Sequence, residues 1–368
     1  MKVFCSQKDL ENALNIVNKA ISSNNTLPVL NNILVKAEGK KLYFFATNLE
    51  IAISCYFEAD VRSEGAITVP AKLITSYVSL LSDEKVELNI GDGLTLMVKS
   101  TASTTKIKGI SSDEFPLIPK VDPEHSFSIT TGVFDAAIAE TVFAASTNVS
   151  RPVLAGVYFT VNGCEMKMVA TDSYRLAEKK IILENKIDGS FACIVPAKTI
   201  IELGKITTKS EAKEVLVSIS KNQALFRIGD VELVTRLIEG KFPEYERIIP
   251  KEAKTKFEVS TEELSLVLRR VSLFARENNN SVRISATNDG KLLVATDETK
   301  VGEEKAEVLI KMEGENNKIS LNGQYLLDVL TYMPDEKINF EMSDKLSPAV
   351  IKPVKGDDYV YIIMPLKV

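Results

Sequence analysis

The sequence predicts an α+β fold made of three tandem copies of one domain, each with two helices packed on antiparallel sheets. Three observations carry this. Four kinds of segment recur in the same order at a spacing of about 125 residues, a domain-sized period rather than a solenoid-sized one. Within each copy, runs of period-two alternation give way to runs of helical period. At 368 residues with 45% hydrophobic content, the chain is long enough to bury several cores. The expected domain limits are 1–122, 126–250 and 254–368.

Each copy opens on a short strand entering an amphipathic helix, at Phe4-Cys5-Ser6, Phe127-Ser128-Ile129 and Phe257-Glu258-Val259. A hairpin follows at 27–48, 151–172 and 280–297, ending each time in Ala-Thr-Asn or Ala-Thr-Asp. The third marker is a strand running into a second helix, ITVPAKLITSYVSLL (67–81), CIVPAKTIIELGKI (193–206) and ISLNGQYLLDVLTYM (319–333). The fourth closes the copy: KGISSDEFPLIP (108–119), RLIEGKFPEYERIIP (236–250) and VYIIMPLKV (360–368). KLYFFAT, EIAISCYF, VELNI, TLMVKS and TKIKGI read as the antiparallel strands of the first copy, with hairpin turns at Gly91-Asp92-Gly93 and, in the second copy, Asn162-Gly163.

The helical stripes set the core. Leu10, Leu14, Val17 and Ile21 share one face of the first helix, and Lys8, Asn12, Asn15 and Lys19 the other. In the third copy Leu264, Leu268, Val271 and Phe274 point inward while Ser265, Arg269, Ser272 and Arg276 line the outer side. Lys198, Glu202, Lys205 and Lys209 run along one face in the second copy. A solvated helix face explains any one of these stripes; basic stripes in equivalent domains also suit an anionic partner. The helices around 72–81, 134–145 and 325–333 are not notably basic.

Catalytic patterns are missing. The single histidine, His125, is read as a solvated linker residue, and no phosphate-binding glycine loop, nucleophile elbow or HExxH occurs. Asp113-Glu114, Glu303-Glu304 and Asp357-Asp358 read as solvated turns, and Asp172, Asp297 and Asn48 as a recurring turn in which the side chain hydrogen-bonds the backbone. Cys5, Cys55, Cys164 and Cys193 have neither metal-ligand nor disulfide-framework spacing. No catalytic residue, metal or cofactor is expected. No export signal or membrane span is read in the chain, and a cytoplasmic location is expected. A net charge of −5 argues against gripping nucleic acid by bulk electrostatics. On these residues alone, a duplicated enzyme or ligand-binding protein with sites between domains, behaving as a compact monomer, stays open, as does a repeat-built structural protein.

The order LPVL, TVPAK, DEFP, then ATDSYRLA, IVPAK, GKFPEYERIIP, then NGQYLLDVL and the terminal YIIMPLKV resembles the bacterial replicative sliding clamps, the β subunits of DNA polymerase III, over the whole chain. The resemblance implies a non-catalytic processivity subunit: a head-to-tail homodimer closing a ring around duplex DNA without sequence preference and working at replication forks. It implies a pocket for short linear motifs of the polymerase III catalytic subunit, the clamp loader, other polymerases, ligase and mismatch-repair proteins. The residues that match that pocket are Leu154, Thr171, Ser173, Tyr174, Arg175, Leu176, Pro243, Arg247, Ile248, Asn322, Tyr325, Ile362, Met364, Pro365 and Leu366. Aliphatic and methionine side chains suit varied peptides, and Arg175, Arg247 and Tyr325 are expected to orient backbone or acidic groups.

By the same resemblance Lys8, Lys19, Lys72, Lys198, Lys205, Lys209, Arg269 and Arg276 face the DNA, weakly enough to let it slide. Lys106, Ile107 and Lys108 meet Leu273 and Phe274 of a second copy across two joined sheet edges. Three positions depart from the family pattern: the neutral Ser22-Ser23-Asn24-Asn25 and Ala197 stand where basic residues are common, and Tyr174 replaces a histidine.

Overall fold

A computed structural model describes residues 1–22, 27–82, 84–91, 93–118, 121–148, 150–298, 300 and 302–366. The neutral Asn24-Asn25 loop, the turn residue Asp92 and the terminal Lys367 and Val368 lie outside the described residues.

The first copy runs β1 (Lys2–Ser6), α1 (Gln7–Val17), β2 (Asn32–Glu38), β3 (Lys41–Thr47), β4 (Ile51–Glu58), β5 (Asp60–Ser63), β6 (Gly65–Pro70), α2 (Ala71–Ser79), β7 (Lys85–Gly91), β8 (Thr95–Lys99) and β9 (Thr104–Lys108). The second runs β10 (His125–Thr130), α3 (Thr131–Thr141), β11 (Gly156–Asn162), β12 (Glu165–Thr171), β13 (Arg175–Ile182), β14 (Ser190–Pro196), α4 (Ala197–Thr207), β15 (Glu214–Ile219), β16 (Gln223–Ile228) and β17 (Val231–Arg236). The third runs β18 (Thr255–Ser260), α5 (Thr261–Ala275), β19 (Ser281–Thr287), β20 (Lys291–Ala295), β21 (Lys305–Leu309), β22 (Lys311–Gly314), β23 (Asn317–Asn322), α6 (Gly323–Tyr332), β24 (Lys337–Met342), β25 (Ala349–Pro353) and β26 (Tyr359–Ile363).

The strands pair across the copies, and compactness follows the sheets. One unit is Met1–Gly132 with Glu202–Leu237, the other Val133–Ile201 with Ile238–Val368. The first unit holds an eight-stranded sheet, β10-β15-β16-β17-β4-β3-β2-β6, and a five-stranded sheet, β5-β1-β7-β8-β9. The second holds a nine-stranded sheet, β14-β11-β12-β13-β26-β25-β24-β18-β22, and a four-stranded sheet, β21-β20-β19-β23. The two large sheets are each two half-sheets from successive copies fused edge to edge, β17 on β4 and β13 on β26. Fusion satisfies strand edges that would otherwise stand open.

The two seams keep one register. Ile51 faces Thr235 and Ile53 faces Leu233 at one, while Arg175 faces Ile363 and Ala177 faces Tyr361 at the other. Arg236 N–H donates to Glu50 O at 3.0 Å, and its counterpart Met364 N–H to Tyr174 O at 2.8 Å. Gly109 lets the first unit's two sheets touch, since a Cβ there would lie 2.3 Å from Thr68 O, beside the Thr68–Ile110 bridge.

Helix starts follow from their caps. Ser6 and Ser260 accept from the N–H groups of Asp9 and Glu263, at 3.4 and 3.3 Å, in the pattern of serine followed three residues on by an acid. Leu10, Leu14, Val17, Leu264, Leu268 and Val271 are buried as expected. Four expectations need correction. Ile21 is extended, because α1 tightens into a 3-10 turn over Asn18–Ala20 and then stops. Ser272 is buried, so the wet side of α5 is shared by Arg269 and Arg270 with the exposed Leu266 and Leu273. His125 is half-buried and opens β10 opposite Ile219, so it is a strand residue and not a linker. Asp358 and Glu304 are ion-paired, to Lys179 at 2.8 Å and to Arg270 at 3.9 Å, and so are not merely solvated.

Candidate functional site

The site is built on the seam between the second and third copies. Its first element is the turn joining β12 to β13. Asp172 Oδ1 accepts from the N–H groups of Tyr174 and Arg175, at 2.9 and 3.0 Å, and Thr171 Oγ1 donates to Arg175 O at 2.6 Å. Ser173 takes a left-handed φ of 81°, and Tyr174 stands out, 63% exposed. This is the side-chain-to-backbone turn the Ala-Thr-Asp motif implies. The first copy repeats it, with Asn48 Oδ1 accepting from Glu50 and Ile51 N–H at 3.0 and 2.9 Å and Leu49 at φ 74°.

The second element is α6. Asn322 caps it, its Oδ1 accepting from Gln324 and Tyr325 N–H at 2.9 and 3.4 Å. The Tyr325 ring lies 4.4 Å from the Arg175 guanidinium carbon, and Tyr325 O accepts from the hydroxyl of buried Tyr361 at 3.0 Å. The third is the C-terminal segment, which pairs Ile362 with Leu176, ties Met364 N–H to Tyr174 O at 2.8 Å and Leu366 N–H to Ser320 O at 2.9 Å.

Beneath these lies one apolar cluster of Val169, Leu176, Ile194, Phe242, Tyr245 and Ile362, against which Val153, Tyr158, Ile238, Ile249 and Val360 pack. Phe242 stacks on Tyr158 with ring centroids 4.6 Å apart. Tyr245 anchors the 3-10 turn Tyr245–Ile248, which carries Arg247 and the exposed Ile248. Leu154, Thr171, Leu176 and Ile362 are therefore floor, while Ser173, Tyr174, Pro243, Arg247 and Ile248 are exposed and Asn322, Tyr325, Met364, Pro365 and Leu366 half-buried.

Arg175 is held by the chain's own groups. Its Nε donates to Asp172 Oδ2 at 3.0 Å, one Nη to Phe143 O at 2.7 Å, and the other is ion-paired to Asp328 Oδ2. The side chain is only 11% exposed. Burial disfavours its charge, but Tyr361, Asp328 and Asp172 outweigh that and hold its pKa above the ordinary arginine value. Three of its five guanidinium N–H groups are thus held within the chain. Asp172, Asp328 and Phe143 are not among the expected site residues; Asp328, one turn beyond Tyr325 on α6, is the readable hint of the cluster. Arg247 is exposed but pairs with Glu244 at 2.9 Å.

The basic residues are placed less uniformly. Lys8, Lys72, Lys198, Lys205, Lys209, Arg269 and Arg276 are exposed, but Lys19 is half-buried, 3.8 Å from Glu202, which also holds Lys205 at 2.8 Å. Burial lowers the pKa of Lys19, partly offset by Glu202, and the nearby Lys205 and Lys209 push it the same way as burial. Glu202 thus holds two lysines of the predicted set. Lys106 and Lys108 are exposed on β9 and Ile107 is buried, while Leu273 is exposed and Phe274 half-buried. Among the described residues no cluster of metal-ligating side chains occurs, and no helix is long and apolar enough to cross a membrane.

Family models for the DNA polymerase III beta subunit match in sequence: the N-terminal domain over residues 1–119, the central domain over 128–244 and the C-terminal domain over 246–367. The beta sliding clamp of Halalkalibacterium halodurans is 31% identical over 367 residues, 96% of each chain. That of Synechocystis is 32% identical over 389 aligned positions, covering 100% of this chain and 99% of the relative. The chain belongs to the bacterial β sliding clamp family. It is a processivity factor without catalytic activity of its own, made of three clamp domains. The solved sliding clamp of Bacillus subtilis superimposes with a TM-score of 0.96 at 28% identity, covering 100% of this chain and 99% of that one. The Pseudomonas aeruginosa clamp bound to griselimycin gives 0.95 at 28% identity with full coverage of both.

Proposed function

We propose that two copies of this chain close head to tail around duplex DNA, and that the Tyr174–Tyr325–Met364 surface is a groove that docks polymerase III, the clamp loader, other polymerases, ligase and repair proteins through short linear motifs. The observation that carries the assembly is the pattern of seams. Each copy contributes two half-sheets, and two edge-to-edge fusions use four of the six, leaving β9 and β21 as the unfused counterparts of β17 or β26 and of β4 or β13. A second copy supplies the third fusion, β21 on β9, and its exchange in both directions closes the assembly.

Side chains support the same pairing. At the internal seam Phe143 stacks on Tyr332 at 5.1 Å. The residues at the same steps from the starts of α5 and α2 are Leu273 and Leu80, 60% and 84% exposed, each awaiting an apolar neighbour. Lys106 and Lys108 on β9 complement Glu303, Glu304 and Glu307 at β21. Domain limits of 1–122, 126–250 and 254–368 fit these seams, the basic helix residues suit sequence-independent phosphate contacts, and the cytoplasm at replication forks is the compartment this function needs.

Sedimentation of the purified chain tests the assembly. A particle of twice the 40.6 kDa chain mass that Leu273→Lys reduces to one chain is the expected result. A monomeric parent chain would overturn it.

A further inference from the structure

We infer that Asp328 is a positioning residue of the docking groove: by holding the Arg175 guanidinium against the Tyr325 ring, it makes Arg175 a fixed flat wall and denies a bound peptide a free cation. The inference rests on the groove reading above.

Three separate segments converge on one guanidinium. The turn after β12 supplies Asp172, the 3-10 turn following α3 supplies Phe143 O, and α6 supplies Asp328. Asp328 is itself held, its Oδ1 accepting from Gln324 Nε2 at 2.8 Å. With Asp172 on Nε and Asp328 on Nη1, rotation of the guanidinium is blocked, and its central carbon is pinned 4.4 Å from the centre of the Tyr325 ring and 5.6 Å from that of Phe143. Tyr325 is thereby fixed from its ring face as well as through its carbonyl, which Tyr361 holds.

The chemistry a partner meets follows from the sum of charges. One guanidinium and two carboxylates leave the cluster with one net negative charge. An acidic side chain over this wall is repelled, and a neutral amide or an apolar side chain lying flat on the Arg175–Tyr325 stack is favoured.

The chain has no tryptophan, so Tyr325→Trp provides a single emission reporter inside the groove of the full-length chain. With that reporter, Asp328→Asn is expected to red-shift the emission and increase acrylamide quenching, and Asp328→Glu to restore most of the parent signal. In the chain with native Tyr325, Asp328→Asn is expected to weaken griselimycin binding about tenfold by calorimetry, with the melting transition still cooperative. Emission, quenching and affinity all unchanged in Asp328→Asn would overturn the inference. Seating griselimycin in the groove is part of the groove reading; if the parent chain does not bind it, that reading falls, while the emission arm, which needs no ligand, still decides whether Asp328 holds the wall. Should Asp328→Asn fail to fold, Gln324→Leu, which removes only the support of the second carboxylate oxygen, is expected to move the same signals by about threefold, and no movement there would equally overturn the inference.

Discussion

The two internal seams share a backbone and differ in chemistry. Both begin with a side-chain-capped turn, at Asn48 and at Asp172, both place a left-handed residue next, and both open their pairing four residues after the motif threonine. At the first seam that opening residue is Ile51, set among Ala52, Ile53, Leu233 and Val234, all buried and apolar. At the second it is Arg175, and two carboxylates, two aromatic rings and a carbonyl are gathered round it. Cap geometry makes the fold; the residue it presents decides whether the seam is apolar throughout or gathers a cluster of ion pairs.

Making the second seam resemble the first has the largest expected effect. Arg175→Ile leaves Asp172 and Asp328 partly buried without a cation, and denaturant titration should show a loss of about 3 to 5 kcal/mol. Retention of parent stability would mean the network is ornamental to the fold. The alkaline limb comes next. Burial, aided by Asp230, pushes the Cys55 thiol at the first seam up to about 12, and burial aided by Asp9 does the same to Cys5. The unfolded thiols ionise near 9, so the stability they contribute is whole below pH 9 and falls above it, by about 1.4 kcal/mol per pH unit per thiol, until pH 12. Urea titrations between pH 8 and 10 on the parent and Cys55→Ala should differ by one thiol's slope; parallel curves refute the burial of Cys55.

The smallest effects separate the two caps. Asp172→Asn keeps the oxygen that caps the turn and gives up the charge that pairs Arg175, at an expected cost of about 1 to 2 kcal/mol. Asn48→Asp keeps the capping oxygen at a turn that opens on Ile51 instead of an arginine, and stability should stay within about 0.5 kcal/mol of the parent. Equal costs at both positions would erase the difference between the two seams.

Much of the fold was legible because it is written locally. Repeat order, the capped turns at Asn48 and Asp172, KLYFFAT as β3 and the buried stripe of α1 all depend on neighbours within a few residues, whereas Asp297 pairs with Arg283. Helix ends were less legible: Ile21 continued the periodic pattern, but the chain had already tightened and left the helix. Ser272 falls on the polar stripe of α5 in the sequence, but the close approach of Gly323 encloses it. For the site, the apolar floor and the exposed rim could be named from the family pattern. The state of Arg175 could not, since it is decided by Asp328, 153 residues away in sequence. Sheet fusion was hidden for the same reason: alternation marks a strand but does not say which edge it will meet.

The fused seams also alter what a break in the chain would mean. A cut in the connector between β9 and β10 severs the covalent link between the first two copies, yet β4 and β17 lie on opposite sides of that cut and remain zipped along the middle of one sheet. The peptide bond there is dispensable for cohesion. A nicked polypeptide would therefore persist as a single particle, and a protease could sever this protein without dismantling it.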